Sequence, residues 1–489
     1  MTTSPDDPAN QTQIPGFRGP AAATEPEEAQ LRRGALGLRS VIFQNMTNMA
    51  PAAAIVYDFP AQVAAAGSAL WVSNLVSLVA VLLIASSIIQ FARRIPHAGG
   101  YYSYLSRALG PTAGAFSGWV YFLYALILPA EVTLVWAGIA QELTSHYLHL
   151  SISWVVFETV MLGVVTVLAY TGVQRSARVV LIAGTAELVI FVALAVALLA
   201  KPASPISLGD LAPSHAFGGW SGILGFGLVY GILNFVGFES AAPMAEETDD
   251  PKRNVPRSVL YSVAILGAVY MLMSFSTVFG WGVPQLDQLG TATDPYITMA
   301  DRVFGIGTLL VFLAATNSSF GCALATVNQS TRVLMSMGRN GLLPQRVGAV
   351  HPTYRTPHVA AATIGGLALV IALAAGAAWG TLTGFFVLAA TLTDGALLVY
   401  IAGNVGLPIY YCREAPHEFK PLVHVVLPVI AVLMLGYVFY RTFWPIPAYP
   451  LNLPGYIAMG WVTLGIVVLA LVKATRPQAL AQVVAEEIG

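Results

Sequence analysis

Six carboxyl-bearing residues stand inside stretches that are otherwise apolar: Asp58, Glu131, Glu158, Glu187, Glu239 and Asp394. A charge at the centre of a membrane helix costs roughly 2.5–3.5 kcal/mol on insertion scales, so several are retained only where they are paired, protonated or facing water. Some of them are therefore there for function. Glu187 has no charged neighbour in its own segment, which makes it a candidate proton carrier. A neutral carboxyl hydrogen-bonded to an adjacent helix explains it equally well, and Glu131 and Asp394 have the same two readings. Glu158 falls about one turn from an expected membrane interface and is the least central of the set. The run Thr316–Ser319 offers hydroxyls and an amide in mid-segment. Such groups glue helices together; a sodium site there would need clustered oxygen ligands from a second helix. The two cysteines, Cys322 and Cys412, make neither a disulfide framework nor a metal-ligand spacing. With no nucleophile–base pair either, the chain is not expected to be an enzyme, and no cofactor is expected.

These groups are positioned by segments that are written to break. Residues 220–259 begin as a membrane-length apolar run, yet carry glycines at 222, 225, 227, 231 and 237 and meet Glu239 while still apolar on both sides. The first apolar segment contains Pro51 and Pro60, with Asn45, Asn48 and Asp58 spread along it. Pro51 lacks a backbone donor and clashes with the preceding turn, which predicts a break near Asn48–Ala53; a simple proline kink is the alternative. A second break is expected at Asn234–Phe238. Lipid cannot satisfy backbone groups freed by a break, so they must face protein, a water-filled cavity or a substrate. Paired discontinuous helices in corresponding positions of two halves point to an inverted-repeat transporter with its site between them.

The chain as a whole fits that frame. It has 489 residues, 56% hydrophobic and 10% charged, with mean hydropathy +0.71. Soluble domains hold about 25% charged residues, so this composition is that of a polytopic membrane protein. A net charge of −1 gives no footprint for nucleic acid. Twelve apolar segments are expected, at 40–66, 69–91, 112–141, 154–172, 179–200, 219–246, 257–281, 303–336, 358–379, 382–405, 421–441 and 455–474. Residues 1–34 and 476–489 read as polar tails. Basic residues gather on the side of the N-terminus, leaving only Lys201, Arg302 and Arg441 opposite, so both termini are expected in the cytoplasm. Between the second and third segments, residues 95–111 read as a short amphipathic helix ending at Arg107, lying at the inner mouth, with His97 an interfacial loop residue.

Three motifs resemble one known family. GFESAAPMAEETDDPKRNVPRSV resembles the sixth-helix signature of the amino acid–polyamine–organocation transporters, IPHAGGYYSYLSRALGP their second loop, and NQSTRVLMSMGRNGLLPQRVGAVHPTYRTP their eighth helix and following loop. The resemblance covers nearly all of 35–475. It implies an all-α polytopic membrane protein of the leucine-transporter fold, with twelve transmembrane helices in a 5+5 inverted repeat plus two C-terminal helices. The first repeat would span 35–204, the second 205–412, and the last two helices 413–475.

The implied substrate site lies at Asn48, Met49, Ala50, Ala52 and Ala53 in the first segment and at Leu233, Asn234, Phe235, Val236 and Gly237 in the sixth. The family's Gly-Ser-Gly carboxylate receptor falls on Pro51, Ala52 and Ala53, a departure that leaves two amides. Leu233 stands where many members place an aromatic gate. Glu187 falls where proton-coupled members place a fifth-helix ionisable group, and Glu239 matches an acid that some members use in coupling. The resemblance therefore implies a secondary transporter of amino acids or related amines in the plasma membrane, working by alternating access, with protons as the expected coupling ion. Its partners would be a small-molecule substrate and membrane lipid. A substrate/product exchanger and a non-transporting amino-acid sensor are the alternatives.

Overall fold

The computed structural model describes residue 31 and residues 33–292, 294–305 and 307–475, without the side chains of 173–181 and 183. The expected tails, apart from Leu31, Arg33 and Gly34, lie outside the described residues. Within them the chain is all-helical and has no strand. Helix α1 (Leu38–Asn48) stops at the predicted break, and the chain continues through Pro51–Ala53 and a wide turn at Ala54–Asp58 into α2 (Phe59–Ala66). Then come α3 (Leu70–Arg94), α4 (Tyr101–Leu109), α5 (Pro111–Leu148), α6 (Trp154–Thr171), α7 (Val173–Ala200) and α8 (Leu228–Leu233). The remainder is α9 (Pro251–Trp281), α10 (Pro295–Phe304), α11 (Gly307–Arg339), α12 (His358–Trp379), α13 (Thr381–Glu414), α14 (Leu427–Phe443) and α15 (Leu453–Thr475).

Nine helical stretches among the described residues are long and apolar enough to cross a membrane. The first, Leu38–Arg94, holds two of the expected segments, divided at Gly67–Ala69. Two shorter apolar helices, Gly184–Ala200 and Gly219–Leu233, fall where the fifth and sixth segments are expected. Helix α10 precedes α11 as a separate element, so the segment expected from 303 begins at Gly307.

Burial sorts the helices into a centre and a rim. In α5 and α13, 78% and 72% of the apolar window is buried; in α14 and α15 the figures are 28% and 22%. Helix α5 forms the hub, packing on α4, α6, α11, α12 and α13. On the rim helix α6, Val156, Val160, Val164 and Val167 follow helical spacing and are exposed, while Glu158 on the other face is fully buried. Polar inside and apolar outside is the arrangement that a lipid solvent selects.

Two elements differ from the sequence reading. Helix α4, expected as an amphipathic helix at the inner mouth, is buried on all sides: all its residues except Arg107 and Leu109 are buried, Tyr104 stacks on Phe91, and Tyr101 packs on Tyr400. Its tyrosines are amphipathic in composition but find aromatic partners inside the bundle. Leu31, assigned to a tail, is buried against Ala98 and Met335.

Candidate functional site

Chain geometry at the first break follows from Pro51. Asn48 ends α1, Met49 closes it with its amide on the Asn45 carbonyl, and Ala50 turns into the left-handed region at φ +46°. A non-glycine residue there is strained by about 1–2 kcal/mol, and such strain persists where the surroundings over-determine it, often at functional sites. Helix resumes at Pro51, so the break is narrower than predicted. With no donor on Pro51, the free amides of the restarted helix are those of Ala52 and Ala53. The Ala52 amide donates to Glu187 Oε1 (2.7 Å), and that of Ala53 to Ser318 Oγ (3.1 Å). Ser318 in turn donates to Glu187 Oε1 (2.7 Å), and Asn317 Nδ2 donates to Oε2 (2.8 Å). The Glu187 carboxyl thus sits at a helix start, where amides and dipole favour an anion, and ties α7 to α11 and to the break. Thr316 is engaged too, as acceptor for Trp136 Nε1 (2.7 Å), so the Thr316–Ser319 run joins helices as expected.

The sixth segment loses its helix at Leu233. The Asn234 amide still bonds four residues back, to Tyr230, and from Phe235 onward the bonds reach only three back, as in Val236 to Leu233 and Phe238 to Phe235. Gly237 adopts φ +103°, and a Cβ there would lie 2.2 Å from Asn48 Nδ2, so only glycine allows the two broken segments this approach. Asn48 is the hub between them. Its Nδ2 donates to Tyr124 Oη (2.7 Å) and reaches the Gly237 carbonyl (3.4 Å), and its Oδ1 accepts from Thr326 (2.7 Å). The Cys322 thiol donates to its backbone carbonyl (3.1 Å). Asn234 offers its carbonyl to Tyr270 (2.9 Å), and Phe235 meets the Tyr270 ring edge-on. Deeper, Asn45 Oδ1 receives the Ala241 amide (2.7 Å).

Between the breaks lies a cavity of about 30 Å³, room for a water or two. Of the ten residues singled out for the substrate site, Asn48, Met49, Ala50, Ala53, Leu233 and Val236 line it. Ala52 turns away to Glu187, and Asn234, Phe235 and Gly237 stand behind the wall rather than in it. Glu187 and Glu239 are both buried outside it; Glu239 Oε2 accepts from Tyr400 (3.0 Å). The cavity adds residues not singled out for the site: Tyr57, Leu128, Cys322 and Phe385, and the two acids Asp58 and Glu131. A signal existed for both acids: Asp58 follows the Pro51 break on the same segment, and Glu131 follows Pro129, a proline inside α5.

One end of the bundle is sealed. Leu36 pairs its backbone with Glu247 and Asp249 (3.0 and 2.9 Å), clasping the start of the first segment to the end of the sixth. Beside it, buried Arg332 meets the Glu247 carboxylate through Nε (2.8 Å) and a second guanidinium nitrogen (3.2 Å). A buried pair of this kind holds only with its remaining donors satisfied, and Arg332 also donates to the Asn328 carbonyl (2.8 Å). The second segment end is tied at the surface, where Arg94 meets Glu418.

Membrane-length helices that break around a buried cavity define the class: a multi-pass membrane transport protein, not an enzyme. Within that class the chain belongs to the amino acid permease family, whose model matches residues 40–472. It is similar to an uncharacterised transporter of Mycobacterium tuberculosis, 28% identical over 410 residues covering 83% of this chain and 87% of that one. The branched-chain amino acid permease of Bacillus subtilis is 24% identical over 406 residues, 78% and 82% of the two chains. The low-affinity putrescine importer of Escherichia coli is 27% identical over 310 residues, 60% and 65% of the two chains.

Proposed function

We propose that the protein is a secondary active transporter that carries amino acids or related amines across the plasma membrane by alternating access, coupled to protons. The observation that carries this reading is the meeting of the two breaks, at Ala50 and at Asn234–Gly237, around one small cavity. Twelve helices follow if Gly184–Ala200 and Gly219–Leu233 span with their extensions and Leu38–Arg94 crosses twice. The 5+5 repeat, 35–204 and 205–412 with 413–475 appended, is supported by the matching irregularity of its first members: each has a break and a wide turn, and Ile223–Gly227 packs on α2. Both termini are assigned to the cytoplasm, which makes the Arg332–Glu247 seal the inner gate and the cavity side the outer path.

Relatives named for branched-chain amino acids and for putrescine bracket the substrate range. In this reading Glu187 exchanges a proton while bridging the break and α11, so that its protonation state biases which side opens. Glu239, held by Tyr400, is the second candidate.

Purified protein in proteoliposomes, given labelled leucine, lysine or 1,4-diaminobutane under an imposed pH gradient, tests this. Accumulation that collapses with a protonophore is expected, and Glu187→Gln should bind and exchange substrate without gradient-driven accumulation. Binding without any flux points to a sensor. Flux only against internal substrate points to an exchanger. Dependence on sodium, with Glu187→Gln and Glu239→Gln both unaffected, removes proton coupling.

A further inference from the structure

Apart from Glu247, which is paired with Arg332, the buried acids fall into two groups. Glu187, Glu239, Glu158 and Asp394 each accept a hydrogen bond from the protein: Glu187 three, Glu239 from Tyr400, Glu158 from Thr133 (2.8 Å) and Asp394 from Thr442 (2.9 Å). Asp58 and Glu131 have none. Asp58 is 6% exposed and Glu131 4%, and Asp58 Oδ1 and Glu131 Oε2 are without any partner. No ion pair among the described residues reaches either one. These two carboxyls are also the ones that line the cavity, whose apolar walls are Leu128, Val132, Leu233, Val236 and Phe385. Buried polar groups are almost always hydrogen-bonded, and a pair left open at a cavity wall is an offer to a ligand with matching donors.

The same cavity offers a carboxylate no cation, and its one unpartnered hydroxyl donor is that of Tyr57. No lysine, arginine or histidine lines it. The two amides of the restarted first helix are taken by Glu187 and Ser318, and Pro51 has none. A zwitterionic amino acid would bring its own carboxylate beside Asp58 and Glu131, with the Tyr57 hydroxyl as its one free side-chain donor, and would have to displace Glu187 to reach the helix amides. Like charges in a space of low dielectric repel strongly.

We propose that the cavity is the receptor for an aliphatic amine that lacks a carboxylate, with Asp58 and Glu131 as the partners of its ammonium group and the apolar wall as the bed for its methylene chain. The inference rests on the transporter reading for its physiological use, but not for its chemistry, which is a matter of binding alone. Amine enters as the outer side opens, because the closed cavity holds only a water or two.

Matched ligands test it on the full-length protein in detergent by calorimetry: lysine against 1,5-diaminopentane, and leucine against 3-methylbutylamine, each pair differing only by the carboxylate. At least one amine should bind about tenfold or more tightly than its parent amino acid, the worth of one charge-assisted hydrogen bond. Asp58→Asn and Glu131→Gln keep shape and remove charge, and each should weaken that amine by about tenfold or more while leaving the monodisperse elution of the protein unchanged. Amino acids that bind as tightly as their amines in both pairs overturn the proposal, as does absence of amine binding by folded protein, or parental affinity in both variants. Uptake in proteoliposomes separates this from the transport reading. Amine that binds but never accumulates rejects transport and leaves the receptor standing; leucine that accumulates while no amine binds does the reverse.

Discussion

Replacing Gly237 by alanine should damage the site by an amount that can be worked from its surroundings. The added Cβ lies 2.2 Å from Asn48 Nδ2 and 3.0 Å from the Asn48 carbonyl oxygen, at φ +103°. Asn48 cannot swing aside freely, because Tyr124 and Thr326 each hold its amide at 2.7 Å. Releasing one such buried bond costs about 1 kcal/mol or more, and the positive φ adds about 1 kcal/mol for a residue with a Cβ. The sum, about 2–4 kcal/mol, corresponds to a loss of affinity on the order of a hundredfold if it falls on the binding-competent state. Half-saturation of uptake in proteoliposomes reads the loss, and size-exclusion with thermal denaturation shows whether the fold survives. The clash has one identified partner, so the effect should be non-additive with Asn48→Ala. In that background Gly237→Ala should cost only the φ strain, giving a coupling of about 1–2 kcal/mol. Parental affinity and stability in Gly237→Ala, or strict additivity in the cycle, would refute the claim that this glycine exists to let the broken segments meet.

Glu187→Ala should lower thermal stability where Glu187→Gln does not. Alanine leaves the Ala52 amide, Ser318 and Asn317 without an acceptor, about 2–5 kcal/mol in all, while glutamine keeps an acceptor if Asn317 turns its amide over. Arg332→Met leaves Glu247 buried and unpaired and should destabilise by about 3–5 kcal/mol, whereas Arg332→Met with Glu247→Leu should regain most of that in thermal denaturation but fail in uptake, since the seal is gone. At the surface, Arg94 holds the Glu418 carboxyl below the usual carboxylate range. Its contribution is therefore present above the pKa of an unfolded glutamate and lost as pH falls through the lowered value. Glu418→Gln should differ from the parent in a thermal scan at neutral pH and converge with it in strongly acid buffer.

What the sequence disclosed was local. Pro51 has no amide and Gly237 no side chain, and each announces a backbone interruption from composition alone. Glu187 was conspicuous because nothing charged stands near it along the chain. What it concealed was partnership across long separations. Thr326 reaches Asn48, and Ala52 reaches Glu187, over intervals no periodicity encodes. Nothing in the sequence says which of the six acids find partners, and only the fold shows that four are answered by the protein and that Asp58 and Glu131 face a cavity unanswered. The burial of helix α4 was concealed for a related reason: tyrosines suit both an interface and an aromatic interior, and Phe91 and Tyr400, which decide between them, lie on other helices.

The central claim, that substrate occupies the space between the two breaks, can be tested at Cys322, which lines the cavity and donates its thiol to the Asn48 carbonyl. In a Cys412→Ser protein, alkylation of Cys322 by N-ethylmaleimide is followed in proteoliposomes during turnover, with and without the transported compound. The account predicts slow labelling that the compound blocks, with half-protection at the concentration that half-saturates uptake. Labelling that is absent throughout, or that proceeds unchanged at concentrations saturating uptake, would contradict it.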